Sequence, residues 1–257
     1  MRIVSYNVNG IRAALGKGLA DWAAATDIDV LCLQETKAHP EQVDMTDLEA
    51  AGFTHAAWNS CTRKKGYSGV LTLSKVAPEH TETCIEIEEY DVEGRVVRTD
   101  FGELTVFNCY FPNGGQGEER QNFKYRFLDD FYDFIADLRR TRPHLLVVGD
   151  YNIAHRPIDL HAPKRNQKTT GFLPEERAWM DKWFTRSGLV DTFRLLHPET
   201  PEQYTWWSYR ANARNNKGWR IDYQSLSEEW AAKVRRVEHL YEARHSDHCP
   251  VLLDLDL

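Results

Sequence analysis

Short apolar runs, many of them alternating or rich in β-branched residues, recur along the chain and are separated by polar segments. Runs of this length and composition are typical of β-strands. We therefore predict eight strands, at residues 3–6, 30–33, 70–73, 96–101, 104–110, 145–148, 220–226 and 251–255.

Longer segments between some of these runs carry apolar residues three or four positions apart, which is the pattern of an amphipathic helix. In the longest segment, Phe123, Phe127 and Phe131 follow this spacing, so we expect one face of that helix to pack on the core. The pattern predicts helices at residues 18–25, 41–51, 119–140 and 174–186.

Strands interspersed with helices, and a strand pair joined by the short 101–103 connection, predict an α/β or α+β fold of mixed sheets with helices outside. The length of 257 residues is near the upper limit for one hydrophobic core. Because no segment is repetitive or polar enough to be a linker, we expect residues 1–257 to form a single domain.

Polar side chains follow several of the predicted strands at the point where each strand ends. In sheets with helical crossovers, ligands bind beyond the carboxyl ends of the strands, so these side chains can converge on one site. Two later segments add Asp222, which lies within an apolar strand, and the pair Asp247-His248. The strand-end residues are Asn7, Glu35, Tyr110, Asn113, Asp150 and Asn152.

Each of these residues has an ordinary structural alternative as a turn former or a helix cap. That alternative gives no reason for Asp222 inside an apolar strand, where an unpaired carboxylate is costly to desolvate. An oxygen-rich set favours a hard cation, Mg²⁺ or Mn²⁺, over Zn²⁺. A zinc interpretation of residues 245–248 lacks a spaced partner motif.

A divalent ion, one histidine and several amides suit the attack of water on a phosphodiester. A Ser-His-Asp hydrolase is the competing enzyme class, but the chain has no G-x-S-x-G elbow. A phosphoester enzyme acting on a phospholipid or an inositol phosphate, and a catalytically inactive nucleic-acid-binding module, are the other hypotheses.

The formal net charge of −7 works against a nucleic-acid partner, because phosphate binding depends largely on Lys and Arg. Local clusters would then have to carry such binding, although solvated loops are the ordinary alternative. Three clusters are candidates: residues 63–65; Lys164, Arg165 and Lys168; and Arg210, Arg214, Lys217 and Arg220.

Five scattered cysteines, an odd number without a C-x-x-C pair, argue against a disulfide framework. The first residues lack a signal-peptide pattern, and no apolar run is long enough to span a membrane. We therefore expect a cytoplasmic protein with no membrane partner. Nothing in the sequence indicates an obligate oligomer, so a monomer is expected.

The ordered motifs resemble the exonuclease III/AP endonuclease family of the endonuclease/exonuclease/phosphatase superfamily. The resemblance covers essentially the whole chain and implies a four-layer α/β sandwich. It also implies Mg²⁺-dependent cleavage 5′ to abasic sites in duplex DNA, with 3′-exonuclease and 3′-phosphatase activity on blocked 3′ ends. The motifs are residues 5–10 (SYNVNG), 31–37 (LCLQETK), 66–70 (GYSGV), 93–96 (EGRV), 110–113 (YFPN), 149–152 (GDYN), 171–177 (GFLPEER), 218–223 (GWRIDY) and 246–250 (SDHCP).

The resemblance also implies roles for individual residues. Glu35 is the principal metal ligand, with Asn7 and Asp247 assisting and Asp150 and Asn152 beside them. Asp222 orients His248. Asp150 is the candidate for activating water, and His248 is the alternative. Asn152 and Tyr110 donate to the scissile phosphate, and Asn113 supports them.

The DNA contacts implied by the resemblance lie in several loops. Trp206, Trp219 and Ile221 match the pocket for a flipped-out sugar without its base, which leaves the duplex at low cost. Tyr67, Arg12 and Lys65 match backbone contacts, and loops around Gln116, Arg210 and Lys168 close on the duplex.

Two positions depart from the animal branch of the family. Asn9 stands where that branch has Asp, so we expect a second metal site there to be weaker. Gln116 stands where that branch has an inserted Arg, so we expect weaker retention of the product.

Overall fold

The computed structural model describes residues 1–208 and 215–257, which form two six-stranded sheets. The first sheet contains β1 (Arg2–Asn7), β2 (Val30–Gln34), β3 (His55–Asn59), β4 (Val70–Ser74), β11 (Val234–His239) and β12 (Val251–Leu255), in the order β11-β12-β1-β2-β4-β3. The second contains β5 (His80–Glu82), β6 (Val96–Phe101), β7 (Leu104–Tyr110), β8 (Leu145–Asp150), β9 (Leu189–Asp191) and β10 (Asp222–Ser227), in the order β5-β6-β7-β8-β10-β9.

Each sheet has one parallel pair at its centre, β1 with β2 and β7 with β8, and its other pairings are antiparallel. The carboxyl ends of each parallel pair therefore meet at one edge of the sheet. Strands β12 and β10 begin at those edges, because Val251 lies opposite Ser5 and Asp222 lies opposite Asp150.

The two sheets pack face to face through a core of alternate strand residues, such as Ile3, Val106, Val148 and Leu253. The predicted four-layer α/β sandwich is confirmed, because helices cover the outer face of each sheet. Helices α1 (Ile11–Leu15), α2 (Leu19–Ala25) and α3 (Thr46–Ala50) lie on the first sheet, and α5 (Glu118–Leu138) and α7 (Pro174–Arg186) lie on the second. Shorter helices are α4 (Glu88–Asp91), α6 (Pro163–Asn166) and α8 (Thr192–Leu196), with 3₁₀ turns at Pro40–Gln42, Pro157–Asp159 and Glu228–Lys233.

The long helix α5 buries the predicted aromatic stripe. Phe123, Phe127 and Phe131 are buried in the core between α5, α7 and the second sheet. This confirms that the three-to-four spacing of these residues marks the core face of the helix.

The eight predicted strands are the eight interior strands of the two sheets, and the four edge strands β3, β5, β9 and β11 were missed. Edge strands are short or half exposed; β5 has three residues, none of them buried. Such strands carry too little apolar periodicity to be recognised, whereas interior strands read as continuous apolar runs.

The prediction of one helix at residues 41–51 is wrong. A 3₁₀ turn at Pro40–Gln42 is followed by extended backbone at Val43, and α3 begins only at Thr46. The Asp44 carboxylate accepts hydrogen bonds from the backbone N–H and the hydroxyl of Thr46, at 3.0 and 2.7 Å. Aspartate used in this way competes with a continuous helix and starts a new one.

All five cysteines are free thiols, as predicted. Within the described residues, no helix combines the length and the apolar character that crossing a bilayer requires.

Candidate active site

Four side chains from distant segments meet where the carboxyl edges of the two sheets lie side by side. Asn7 ends β1, Glu35 follows β2, Asp150 ends β8, and His248 precedes β12. One ligand atom from each of Glu35, Asp150 and His248 lies within 4.8 Å of the other two. The Asn7 amide nitrogen bridges the two carboxylates, at 2.9 Å from Glu35 Oε1 and 2.9 Å from Asp150 Oδ2.

The backbone around Asp150 permits this placement. Gly149 has φ 141°, and a Cβ built on it would lie 1.8 Å from the Cys109 carbonyl oxygen of the neighbouring strand. Only glycine allows β7 and β8 to approach so closely at that point. After the strand, Asn152 takes a left-handed conformation, and its backbone N–H donates to Asp150 Oδ1 at 2.8 Å.

His248 and Asp222 form a buried pair. His248 Nδ1 lies 2.9 Å from Asp222 Oδ2, and His248 Nε2 lies 3.9 Å from Asp150 Oδ2. Burial opposes protonation of the ring, but the charge and hydrogen bond of Asp222 outweigh it and raise the pKa of His248 to about 10. His248 is therefore a cation at neutral pH, with Nε2 on the side of Asp150.

The pKa of Asp150 is raised, whereas the pKa of a carboxylate that is paired at the surface is ordinarily lowered. Burial, together with the negative charge of Asp222, raises the pKa of Asp150 to about 7, although His248 opposes the shift. Asp150 and His248 are thus adjacent groups, of which Asp150 changes protonation near neutral pH and His248 only well above it.

Glu35 stays ionised because it has a cationic partner. Burial raises the pKa of Glu35, but the ion pair with Lys37, at 2.8 Å, and the Asn7 hydrogen bond lower it below its ordinary value. Lys37 lies inside a recognised motif, yet the sequence assigned it no role. The only sequence feature that could have indicated a role for Lys37 is its position two residues after the strand-end carboxylate Glu35.

Asp247 is held by donors on both oxygens. Asn9 Nδ2 donates to Oδ1 at 2.9 Å, and Trp206 Nε1 donates to Oδ2 at 3.2 Å. The Asn9 side-chain oxygen in turn accepts from Lys37. An aspartate at position 9 would place a second negative charge beside Asp247, whereas the Asn9 amide donates a hydrogen bond to it. Asparagine is therefore compatible with the carboxylate of Asp247 at this position.

This donor set fits a hard divalent cation. Four carboxylates, Glu35, Asp150, Asp222 and Asp247, lie in one hydrogen-bonded cluster with two cationic groups, Lys37 and His248. The excess negative charge in a partly buried site favours an added cation, and oxygen donors select Mg²⁺ or Mn²⁺. Glu35, Asp150 and Asp247 are the carboxylates that reach the open side of the cluster, because they line a cavity.

The cavity above the cluster has a volume of about 540 Å³. One wall is apolar and contains Trp206, Trp219 and Ile221, with Phe172 packed behind Trp219 at 6.4 Å between ring centroids. The cavity is also lined by Lys217, from the third basic cluster, and by residues to which the sequence assigned no role: Lys37, Thr169, Thr170, Gly171 and Ser208.

Three polar residues complete the floor of this cavity. Asn113 Nδ2 donates to Asn152 Oδ1 at 2.9 Å, which orients the Asn152 amide. Asn152 Nδ2 donates to the Phe111 carbonyl at 2.9 Å and makes a longer contact, 3.4 Å, with Asp150. Burial raises the pKa of Tyr110 well above its ordinary value, so its hydroxyl keeps its proton and can donate.

Tyr67 and Gln116 line a second cavity, of about 580 Å³, together with Arg63, Lys64 and Arg120. The Tyr67 hydroxyl accepts from Arg120 at 2.9 Å and from the buried Arg95 at 3.2 Å.

The buried Arg95 contacts one lining residue of each cavity: it donates to Tyr67, and its guanidinium lies 5.0 Å from the ring centroid of Tyr110. Arg12, Lys65 and Lys168 are exposed and belong to neither cavity lining, and Arg210 lies outside the described residues.

The inclusion of Arg220 in a basic surface cluster is wrong. Arg220 is fully buried; its Nε donates to Asp159 at 2.8 Å and its Nη2 donates to Asp191 at 2.7 Å. Asp159 also binds Arg194 at 2.6 Å, so both carboxylates are neutralised inside the fold. Arg220 therefore anchors the strand segment that carries Trp219 and Ile221.

With this geometry, the comparisons with known proteins identify the class of the chain. Residues 4–248 match the sequence profile of the Endonuclease/Exonuclease/phosphatase family, and the chain belongs to that family.

Its relatives place it in the exonuclease III/AP endonuclease branch. It is 38% identical over 259 residues to an exodeoxyribonuclease of Bacillus subtilis, covering 100% of both chains. A solved AP endonuclease from Archaeoglobus fulgidus superposes with a TM-score of 0.91 at 27% identity, covering 100% of each chain. A 3′ phosphatase from Neisseria, bound to a product DNA hairpin, has the same TM-score, identity and coverage.

Proposed function

We propose that this chain is a magnesium-dependent DNA repair phosphodiesterase that cuts the backbone 5′ to abasic sites in duplex DNA. The observation that carries the proposal is the convergence of Glu35, Asp150 and His248 beneath an apolar wall formed by Trp206 and Trp219. A sugar without its base leaves the stack at low cost and fits an apolar slot. We further propose 3′-exonuclease and 3′-phosphatase activity, because a solved 3′-5′ exonuclease and a solved 3′ phosphatase from Neisseria share the fold.

Glu35, Asp150 and Asp247 are the groups that would hold Mg²⁺, with the amides of Asn7 and Asn152 beside them. When bound, Mg²⁺ supplies positive charge that offsets charge building up on the phosphoryl oxygens. Mn²⁺ fits the same oxygen donors and is expected to substitute.

Asp150 is the proposed acceptor of the proton from the attacking water. Burial beside Asp222 raises the pKa of Asp150 and makes it a stronger base than an ordinary carboxylate, whereas His248, whose pKa Asp222 raises, already carries its proton. Water adds to phosphorus as the P–O3′ bond breaks, and the leaving 3′ oxygen takes up a proton from solvent. His248, held in place by Asp222, donates a hydrogen bond from Nε2 to a phosphate oxygen. Tyr110 is a further neutral donor, and the Asn113–Asn152 bond fixes the floor on which the phosphate lies.

Tyr67, Gln116 and the cations of the second cavity are proposed to bind the DNA backbone beyond the cut. Arg12, Lys65, Lys168 and Arg210 are proposed as outer contacts. We propose that residues 1–257 act as one catalytic domain and as a monomer, because both sheets of one chain supply the site.

The test is a comparison of initial rates on three duplexes: one with an abasic analogue, one with a 3′-phosphate, and one with an intact 3′ end. An inositol phosphate serves as a fourth substrate. The proposal predicts cleavage of the abasic strand on the 5′ side and slower release at the 3′ ends. Turnover of the inositol phosphate with an intact abasic strand would instead support the phosphoester alternative.

A further inference from the structure

Lys124 on α5 and Glu176 in the first turn of α7 form an ion pair with no exposed surface. The Lys124 ammonium lies 2.6 Å from Glu176 Oε1, and the exposed fraction of both side chains is 0%. Removing two charges from water is costly, and a buried pair often adds no net stability compared with apolar residues. A contribution to stability therefore does not by itself explain why two charged residues occupy this buried position.

Lys124 reaches the loop that carries the proposed base. Its ammonium donates at 2.9 Å to the carbonyl oxygen of Asn152, a residue with a left-handed φ of 52°. The backbone N–H of the same residue donates to Asp150 Oδ1. One buried cation thus fixes the carbonyl of Asn152, two residues after Asp150, in the left-handed conformation that asparagine adopts more readily than most residues.

Glu176 holds the opposite side of the cavity. Its Oε2 accepts from the backbone N–H of Gly171 at 2.6 Å and of Leu173 at 2.9 Å, and Gln121 donates to its Oε1 at 3.1 Å. Gly171 lines the cavity, and a Cβ built on it would lie 3.2 Å from the Trp219 ring. The carboxylate therefore sets the position of the segment against which the apolar wall packs.

We propose that Lys124 and Glu176 are positioning residues that set the spacing between the Asp150 loop and the apolar wall of the cavity. The ion pair joins the Asn152 carbonyl on one side to residues 171–173 on the other. This inference rests on the proposed function, because it assumes that a substrate phosphate meets Asp150 while its sugar contacts Trp219.

The test uses the full chain with Mg²⁺ and three variants: Lys124→Met, Glu176→Gln, and the double variant, which leaves no buried charge. Lys124→Met lowers kcat by about tenfold to 100-fold with little change in KM, because misplacement of a reacting group by about 1 Å costs that much. Glu176→Gln also raises KM, because it loosens the wall as well. Rates are expressed per folded molecule.

The matched control is Ile135→Ala, which creates a cavity on the buried face of the same helix, away from the site. Its thermal midpoint is compared with those of the variants, and its kcat and KM remain those of the wild type. If Lys124→Met and the double variant also keep wild-type kcat per folded molecule, the pair is merely structural and the inference is overturned.

Backbone amide hydrogen exchange separates this inference from the proposed function. Peptides covering residues 150–153 and 169–174 lose protection in Lys124→Met and in the double variant, but not in Ile135→Ala. Unchanged protection there rejects the positioning role whatever the substrate. Lost protection in a protein that cannot cut abasic DNA keeps the positioning role and rejects the substrate.

Discussion

At the scale of single residues, two neighbouring groups, Asp150 and His248, have pKa values that lie far from their ordinary values. Asp150 titrates near pH 7 because it is buried beside Asp222, and His248 titrates near pH 10 because Asp222 stabilises its protonated form. Because the two pKa values are displaced in this way, Asp150 can act as the base and His248 as the acid without any movement of the backbone.

Replacing either group tests these roles. Asp150→Asn and His248→Ala should each lower kcat by about 10²- to 10⁴-fold, the usual contribution of a positioned acid or base. In the wild type, raising the pH through the pKa of Asp150 ionises the base, so activity increases on the acidic side of the profile. Rate measurements across pH check both points, with Asp129→Asn, an exposed carboxylate of α5, as the control. Full turnover by either variant would refute the assignment.

The Asp222–His248 pair makes a second prediction. In Asp222→Asn, burial acts on His248 without the charge and hydrogen bond that oppose it most, so the pKa of His248 falls from about 10, although Asp150 and Asp247 still raise it. Histidine titration by NMR in the metal-free protein measures this shift. Because the folded-state pKa exceeds the ordinary value of about 6.5, the pair stabilises the fold below about pH 6.5 and loses that contribution as pH rises through 10. An unchanged titration in the variant would contradict the pairing.

At the scale of elements, the buried network around Asp159 connects the 3₁₀ turn at Pro157–Asp159 with α8 and the start of β10. Burial raises the pKa of Asp159, but Arg220 and Arg194 outweigh it and hold the pKa well below the ordinary range. Asp159 is thus ionised in the folded protein down to strongly acidic pH.

Asp159→Asn should destabilise the protein by about 3–5 kcal/mol, because it leaves buried guanidinium charge without compensation. The depressed folded-state pKa gives a contribution that is complete above the unfolded value of about 3.9 and is lost as pH falls toward the folded value. The difference in unfolding free energy between wild type and variant should therefore narrow between pH 5 and pH 2 in denaturant titrations. A difference that stays constant over this range would show that the Asp159 charge is not the cause.

The interior elements could be predicted from the sequence, whereas the edges could not. Interior strands such as β7 are buried over their whole length and mostly apolar, because layers cover both faces, so the pattern of apolar residues finds them. The edge strand β11 buries only three of its six residues and carries exposed Arg235 and Arg236, so its pattern is close to that of a loop.

The candidate site was predictable to a similar extent. Residues delivered by strand ends, such as Glu35 and Asp150, could be placed from the strand pattern and the motifs. Lys124 could not, because a lysine beside an aromatic stripe is ordinarily solvated, and only the packing of α5 against α7 buries it. Arg220 was misassigned for the same reason, since a sequence does not show which charges find partners inside the fold.

At the scale of the whole molecule, an excess of acidic over basic residues must coexist with the proposed DNA binding. The net charge is −7, so attraction to the backbone depends on cations concentrated around the cavities, including Arg63, Lys64 and Lys217. Local concentration of this kind permits phosphate binding by a protein of acidic composition.

Salt dependence tests this distribution. Lys64→Gln should weaken binding of an abasic-analogue duplex and reduce the slope of log affinity against log salt by about one unit, as for a single phosphate contact. Lys75→Gln is the matched control, because Lys75 pairs with Asp27 and follows β4 at the end of the sheet opposite Glu35. Equal slopes for wild type and Lys64→Gln would show that Lys64 in the second cavity does not contact the DNA backbone.

The most direct test of the central claim is a nicking assay on a duplex with one abasic analogue, performed in Mg²⁺, in EDTA and with Glu35→Gln. The account predicts a single cut 5′ to the analogue in Mg²⁺, no cut in EDTA, and a large loss of rate at limiting Mg²⁺ in the variant. Cleavage that proceeds equally well in EDTA, or that ignores the loss of the Glu35 carboxylate, would contradict a metal-dependent site at the junction of the two sheets.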